Sequence, residues 1–201
     1  MTTRGNPTWK MVALLVGLTT LCGLLLLLAH AWSAPIIQQK QEAALRSALV
    51  RVLPQAKTFA TWTEQGGQLV PPLATGKDLR LFEGLDNQGQ RVGWVIEAQG
   101  AGYQEPIRLL FGLDVQGQQL NGFEVLDSKE TPGLGDRIEK DPSFLANFKA
   151  LDLSQPIRLV KPGHKTKPSQ IEGITGATVS SQAVAHIIQR ALASRLPLVK
   201  Q

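Results

Sequence analysis

One stretch organises the C-terminal part of the chain: Glu172-Gly173-Ile174-Thr175-Gly176-Ala177-Thr178-Val179-Ser180-Ser181. Small residues precede several hydroxyl side chains, and an apolar pattern with spacings of three, four and seven residues follows. That pattern predicts a helix from about Val179 to Ser194, ended by Pro197. Thr178 is therefore expected at or just before a helix N-terminus, where free N–H groups and the helix dipole favour an anion.

This stretch allows two interpretations. In one, Thr178 or Ser180 is an ordinary N-cap, because Ser and Thr are favoured at that position. In the other, a hydroxyl holds a phosphate group at the helix N-terminus. The stretch lacks the Gly-Lys-Ser/Thr ending of a P-loop, and no Gly-x-Ser-x-Gly nucleophile elbow occurs in the chain.

The stretch resembles the acceptor motif of the FMN-binding domain family, an acidic residue followed by Gly-x-Ser/Thr-Gly-Ala-Thr. The matching positions are Glu172, Gly173, Thr175, Gly176, Ala177 and Thr178. Glu172 stands where the family usually has Asp. The resemblance implies that Thr178 carries FMN through a phosphoester bond and that Thr175, Gly176 and Ala177 lie beside it.

A second stretch, Glu130-Thr131-Pro132-Gly133-Leu134-Gly135, precedes the acceptor motif by about forty residues. Its Pro-Gly pair predicts a tight loop after a strand, which by itself is a plain turn. The FMN-binding domain family carries the same six residues ahead of its acceptor motif. The resemblance implies that Glu130, Thr131, Gly133 and Leu134 contact the flavin ring or its ribityl chain.

The N-terminal region predicts a membrane anchor. No charged residue occurs from Met11 to Trp32, and about 20 apolar residues suffice to cross a bilayer. Trp9 and Trp32 flank this run as interfacial aromatic residues do. The alternative is a cleaved signal peptide, because Ala29-His30-Ala31 resembles a cleavage site, although the apolar run exceeds the roughly 7–15 residues of such a segment.

The charges around this run predict its orientation. Arg4 and Lys10 precede it without an acidic residue, so the N-terminus is expected in the cytoplasm and the main domain in the periplasm of a bacterium. The chain would cross the inner membrane once. The expected boundaries are a cytoplasmic segment at 1–10, a transmembrane helix at 11–32, a juxtamembrane helix at 33–56 and a periplasmic FMN-binding domain at 57–201.

A short internal repeat, called the echo below, predicts an antiparallel sheet. The sequence Gly-Leu-Asp-Asn-Gln-Gly-Gln at 84–90 recurs as Gly-Leu-Asp-Val-Gln-Gly-Gln at 112–118, and each copy lies between apolar stretches. Two such β-hairpins place a sheet over about residues 79–126. Gly100-Ala101-Gly102-Tyr103 between them is expected to form a flexible bend. With helices after Asp141-Pro142 and at the C-terminus, the predicted fold class is α+β: a transmembrane helix, then a single domain with a mainly antiparallel sheet flanked by helices.

Composition limits the classes of function. The chain has 201 residues and a formal net charge of +5, but its basic residues are scattered and no nucleic-acid motif is present, so nucleic acid is not an expected partner. Cys22 is the only cysteine, and no grouping has the spacing of a metal site. The local basic cluster of Lys161, Lys165 and Lys167 suits an acidic electron-transfer partner or lipid headgroups.

The whole layout, over roughly residues 10–195, resembles the G subunit of the Rnf ion-translocating electron-transport complex. The C subunit of the Na⁺-translocating NADH:quinone oxidoreductase is a close relative and the alternative. The resemblance implies an electron-relay flavoprotein, not catalytic alone, in a membrane complex that passes electrons between ferredoxin and NAD and moves Na⁺ or H⁺. Its partners would be the other membrane subunits of the Rnf complex and a flavin transferase that makes the bond from FAD.

Two non-redox functions remain as alternatives to this resemblance. An anchored module could bind an anion reversibly at the helix N-terminus. A free-standing hydrolase is less well supported, because the sequence offers no recognisable Ser/His/Asp or metal grouping.

Overall fold

The computed structural model describes residues 7–71 and 79–199. The chain divides into two compact units, Met1–Ala44 and Leu45–Gln201. The predicted cytoplasmic segment is described only from residue 7, so most of it lies outside the described residues.

The first unit is formed by the helix α1 (Pro7–Val52), whose last two turns belong to the second unit. Between Trp9 and Ile37 this helix exposes most of its large apolar side chains. It is long and apolar enough to cross a membrane. The helix continues into the predicted juxtamembrane helix of 33–56 but ends four residues short of its expected end, at Val52. It stops two residues before Pro54, because proline disfavours the helical conformation in the residue that precedes it.

The second unit contains β1 (Thr58–Gln65), β2 (Gln68–Val70), β3 (Arg80–Leu85), β4 (Arg91–Ala101), β5 (Pro106–Leu113), β6 (Gln119–Asp127) and β7 (Leu151–Asp152). They form one antiparallel sheet in the order β2-β1-β3-β4-β5-β6-β7. A separate parallel pair joins β8 (Arg158–Val160) and β9 (Gln170–Glu172). The helices are α2 (Arg137–Lys140), α3 (Pro142–Ala146) and α4 (Thr178–Val199). The predicted α+β class, with a mainly antiparallel sheet flanked by helices, is confirmed.

The two copies of the echo form the predicted hairpin turns. The carboxylate of Asp86 accepts a hydrogen bond from the Gln88 backbone N–H at 2.8 Å, and that of Asp114 accepts one from Gln118 at 2.7 Å. An Asp side chain at this place substitutes for a backbone acceptor and closes the turn. The same local chemistry therefore makes both hairpins.

The sheet separates two apolar clusters. Alternate residues of β4 and β5, such as Ile96 and Phe111, face α4 and the Phe144–Phe148 segment. The residues between them, such as Val95 and Leu110, face the last turns of α1. Because successive side chains of a strand point to opposite faces, the sheet can bury both of its faces under helices.

A row of glycines admits the end of α1 onto the sheet. Gly84 pairs with Gly93 across β3 and β4, and Gly112 pairs with Gly122 across β5 and β6. A Cβ atom on Gly122 would lie 2.6 Å from the carbonyl oxygen of Val52. Two of these glycines open the two copies of the echo, so the repeated sequence encodes this close approach as well as the turns.

The C-terminal helix is longer than predicted. It runs to Val199, five residues beyond Ser194, and Pro197 lies inside it. Proline breaks a helix by removing one N–H donor and crowding the preceding turn, but this proline lies near the helix end, where little helix follows. Burial of Leu198 and Val199 favours continuation of the helix over that remaining distance.

The predicted flexible bend is also different in the structure. Gly100 and Ala101 belong to strand β4, and only residues 102–105 form the turn to β5. A Cβ atom on Gly100 would lie 2.6 Å from Cγ1 of Ile187 in α4. This glycine therefore serves the close packing of α4 on β4, which positions the N-terminal end of that helix.

Candidate functional site

A pocket of about 400 Å³ opens at the N-terminal end of α4. Three segments form it: the turn between β4 and β5, the loop that follows β6, and the start of α4. Its volume is within the roughly 300–1,000 Å³ of ordinary ligand sites. The residues that line it are Tyr103, Glu130, Thr131, Leu134, Gly135, Gly176, Ala177, Thr178, Val179 and Ser180.

Thr178 is the first residue of α4, and its side chain is exposed at the pocket. Its hydroxyl makes no hydrogen bond with any residue of 7–71 and 79–199. The hydroxyls of Ser180 and Ser181 are both buried and both engaged: Ser180 donates to Glu130, and Ser181 donates to the Ala177 carbonyl at 2.9 Å. Of the three hydroxyl residues in the first turn of α4, Thr178 is therefore the one whose side chain is exposed at the pocket.

Glu130 joins the three segments of the pocket. Its side chain is only 4% exposed, and its carboxylate accepts hydrogen bonds from the backbone N–H groups of Tyr103 at 2.8 Å and Gln104 at 3.1 Å. The carboxylate also accepts the hydroxyl hydrogen of Ser180. A buried carboxylate is stable only when such donors replace its hydration, so this residue shapes the pocket wall.

Two glycines make room for that carboxylate. A Cβ atom on Gly102 would lie 2.4 Å from Oε1 of Glu130, and one on Gly135 would lie 2.9 Å from Oε2. A third glycine, Gly176, has φ +85°, a backbone conformation that strongly favours glycine. A Cβ atom there would lie 3.5 Å from Cδ2 of Leu134, so the two motifs approach each other beside Thr178.

Most of the predicted cofactor-binding residues meet in this pocket, and two do not line it. Thr175 lines a different cavity of about 210 Å³. Gly133 lies in the turn before Leu134, with φ +79°. The predicted residues that line the pocket are Glu130, Thr131, Leu134, Gly176, Ala177 and Thr178.

The acceptor motif is held in place by residues that sequence patterns did not indicate. The Asn147 amide nitrogen donates to the Glu172 carbonyl at 3.3 Å, and its oxygen accepts the Glu172 N–H at 3.0 Å. The Arg137 guanidinium donates to the Thr175 carbonyl at 3.2 Å. The carboxylate of Glu172 accepts the Gly163 N–H at 3.0 Å, so the acidic residue of the motif orders the basic loop.

Asp141 supports this arrangement through Arg137. It is the N-cap of α3, accepts the Ser143 N–H at 3.0 Å, and pairs with Arg137 at 2.7 Å. Burial acts to raise the pKa of Asp141, but the hydrogen bonds from Arg137, Phe144 and Ser143 outweigh it and leave the pKa below its ordinary value. The ionised carboxylate therefore stabilises the fold here.

Four further lining residues were not predicted: Tyr103, Gly135, Val179 and Ser180. Val179 belongs to the apolar pattern of α4, yet it is 57% exposed at the pocket. Leu134 is 51% exposed and Tyr103 is 66% exposed. These three side chains, called the apolar rim below, surround a pocket whose floor includes the N-terminus of a long helix.

The helix N-terminus and the apolar rim together form a site that suits a ligand with an anionic end and a flat apolar part. The family model described as the FMN-binding domain matches residues 102–193, which include every residue of the pocket. The class of the domain is thus FMN-binding.

Comparison with individual proteins identifies a more specific family. The G subunit of an ion-translocating oxidoreductase complex from Methanosarcina acetivorans is 30% identical over 188 residues, 91% of this chain and 92% of that protein. The G subunit of a proton-translocating ferredoxin:NAD(+) oxidoreductase complex from Clostridium ljungdahlii is 34% identical over 101 residues, 50% of this chain and 52% of that protein. The chain belongs to the family of these G subunits, the Rnf family, which confirms the resemblance drawn from its two motifs.

A solved structure has the same fold. The C subunit of the Na(+)-translocating NADH-quinone reductase from Parabacteroides distasonis superimposes with a TM-score of 0.64 at 21% identity. The match covers 81% of this chain and 96% of that chain. The two chains therefore share a fold.

Proposed function

We propose that the chain carries FMN on the Thr178 hydroxyl through a phosphoester bond and relays electrons in an Rnf-type membrane complex. The observation that supports this most is the exposure of Thr178 at the pocket, which Thr175, the other exposed hydroxyl residue of the acceptor motif, does not line. The Thr178 hydroxyl opens into the pocket, whereas Ser180 and Ser181 use theirs inside the protein. A covalent bond at this hydroxyl would keep the cofactor from being lost outside the cytoplasm.

The residues present fit FMN. The first N–H groups of α4 have no acceptor within the helix, and they would donate to a phosphate on Thr178. Gly176 lines the pocket without a side chain, and the apolar rim would hold the flavin ring. When bound, FMN supplies one- and two-electron transfer, while the protein supplies binding, orientation and electrostatics.

A separate enzyme is needed to make the bond. Activation of a hydroxyl requires a nearby base, and the carboxylate that lines this pocket, Glu130, is buried and already accepts from three donors. His186 in α4 pairs with Gln182 at 2.8 Å. A flavin transferase that uses FAD would supply the missing base and release AMP.

Family membership supports a wider assignment. The other Rnf subunits are the proposed partners, ferredoxin and NAD the proposed ends of the electron path, and Na⁺ or H⁺ the transported ion. The name of the Clostridium ljungdahlii relative supports ferredoxin, NAD⁺ and protons for that protein. The alternative left open by the sequence, the C subunit of the Na⁺-translocating NADH:quinone oxidoreductase, shares the fold at 21% identity, whereas the G subunit from Methanosarcina acetivorans is 30% identical over 91% of this chain.

The location proposed is a bacterial inner membrane, with one span, a cytoplasmic N-terminus and a periplasmic main domain. The exposed apolar surface of α1 between Trp9 and Ile37 supports a span, since such surface is unfavourable in water. Fusion of alkaline phosphatase to the C-terminus tests the orientation, because that enzyme is active only outside the cytoplasm. An inactive fusion, together with an active cytoplasmic reporter at the same position, would reverse the proposed orientation.

The covalent bond is tested on the full-length protein purified from a host with the transferase. We expect a fluorescent band on a denaturing gel and a Thr178 peptide heavier by the mass of FMN minus water. Thr178→Ala should abolish both. Thr166→Ala is the matched control, since Thr166 is also exposed but lies outside both the acceptor motif and the pocket, and it should keep the band.

The same gel separates the redox proposal from the anchored anion-binding module. A reversibly bound anion is lost on denaturation, so an unmodified Thr178 peptide and a colourless band in the wild-type protein would favour that alternative.

A further inference from the structure

Tyr103 is the only tyrosine of the chain and lies in the turn between β4 and β5. It is the most exposed member of the apolar rim. Among the described residues, the exposed large apolar side chains outside the apolar rim lie on α1, which includes Val50 in the second unit, except Val115 at a hairpin tip. Exposed apolar surface in the second unit is therefore concentrated at one pocket, which indicates that a ligand covers it.

The backbone of Tyr103 is held firmly despite this exposure. Its N–H donates to Glu130 at 2.8 Å, and the preceding Gly102 N–H donates to the Glu105 carbonyl at 3.0 Å. Glu130 also binds Ser180, in the first turn of the helix that begins at Thr178. One buried carboxylate thus sets the position of the aromatic residue relative to the acceptor hydroxyl.

We propose that Tyr103 is the aromatic wall of the flavin site, with its ring packed against the ring system of an FMN attached to Thr178. This inference rests on the proposed function. Aromatic rings gain roughly 0.5–1.5 kcal/mol from stacked or edge contacts beyond the burial of area. Tyr103 is the aromatic side chain among the lining residues, so it is the side chain suited to that contact.

Such a contact has an optical signature. A phenol beside a flavin gives one electron to the photoexcited ring and takes it back, so the emission is quenched and neither partner is changed. Tryptophan quenches in the same way, whereas phenylalanine and leucine do not. Trp62 and Trp94 lie outside the pocket lining, which leaves Tyr103 as the quencher that the described residues place there.

The test is the fluorescence lifetime of the covalent flavin in the full-length protein. Wild-type protein and Tyr103→Trp should show short lifetimes, and Tyr103→Phe and Tyr103→Leu should show lifetimes that are several-fold longer. Gln104→Ala is the control, because Gln104 is in the same turn but does not line the pocket. It should leave the lifetime unchanged.

The result separates this inference from the proposed function. A peptide mass spectrum of each sample first locates the flavin. If wild-type Thr178 carries none, both proposals are overturned. If Thr178 carries FMN and Tyr103→Phe emits with the wild-type lifetime, only the role of Tyr103 is overturned. A fluorescence lifetime does not depend on how many molecules carry flavin. A variant with little attached FMN therefore still tests the role of Tyr103.

Discussion

The hydroxyl of Ser180 donates a hydrogen bond to the buried carboxylate of Glu130, 50 positions earlier in the chain. This contact joins the two motifs that the sequence presents only in order. It connects the loop after β6 to the first turn of α4, and the same carboxylate reaches the backbone of Tyr103. One buried side chain therefore connects the three segments that form the pocket.

Glu130→Ala should destabilise the protein by about 2 kcal/mol or more, because it leaves buried donors without an acceptor. Urea unfolding of the full-length protein in detergent, followed by circular dichroism, measures this loss. Glu105→Ala is the control: its ion pair with Lys129 is exposed, and exposed pairs add little to stability because water screens them. Equal losses for the two variants would mean that Glu130 does not organise the pocket.

A side chain at Gly122, in the row of glycines beneath the end of α1, should destabilise the protein. A Cβ atom there would lie 2.6 Å from the carbonyl oxygen of Val52. A backbone oxygen cannot move aside by a change of rotamer, as a side chain can. At Gly84 the nearest atom is Cδ2 of Leu53 at 2.5 Å, the end of a flexible side chain. We expect Gly122→Ala to cost about 1–3 kcal/mol in the free energy of unfolding and Gly84→Ala to cost less. The reverse order would show that α1 does not lie as described.

Gly176→Ala should lower flavin loading by more than it lowers stability. Its φ of +85° imposes strain on any side chain, worth about 1–2 kcal/mol. Gly163 has a similar φ of +78°, has open space around its Cβ position and lies in the basic loop. Gly163→Ala should therefore cost the same stability and leave the ratio of flavin to protein, measured by absorbance, unchanged. An equal ratio of flavin to protein in the two variants would show that flavin binding does not depend on Gly176.

Acid should reduce the contribution of Asp141 to the stability of the folded protein. Its folded-state pKa is below the ordinary value of 3.8, so its contribution is complete above that pH and is lost as the pH falls through the folded-state pKa. Asp141→Asn removes the charge but keeps a capping acceptor. The stability difference between wild type and Asp141→Asn, measured by urea unfolding, should be constant near neutrality and shrink below about pH 4. A difference that grows in acid would contradict this sign.

Local patterns were enough to predict much of the architecture. The hairpin turns follow from the positions of Asp86 and Asp114, whose side chains bind backbone within the same few residues. The start of α4 follows from the apolar spacing after Thr178. The end of α4 could not be predicted in the same way, because the burial of Leu198 and Val199 that favours continuation of the helix arises only in the folded chain.

Glycine was the residue type that the sequence patterns described least well. Gly100 and Gly102 were expected to be flexible, but they permit close contact with Ile187 and Glu130. The requirement for a missing side chain comes from the element packed above it, and that element is far away in sequence. Tyr103 was overlooked for the same reason, since only the folded chain places it beside Thr178 in one pocket.

By itself, the sequence determined the class of fold, the order of two flavin-type motifs and the identity of the acceptor candidate, because turns, periodicity and short motifs act within a few residues. Only the tertiary structure decided which hydroxyl remains available and which side chains share its pocket. Those choices depend on hydrogen bonds and contacts between segments that are far apart in the chain, and folding alone brings such segments together.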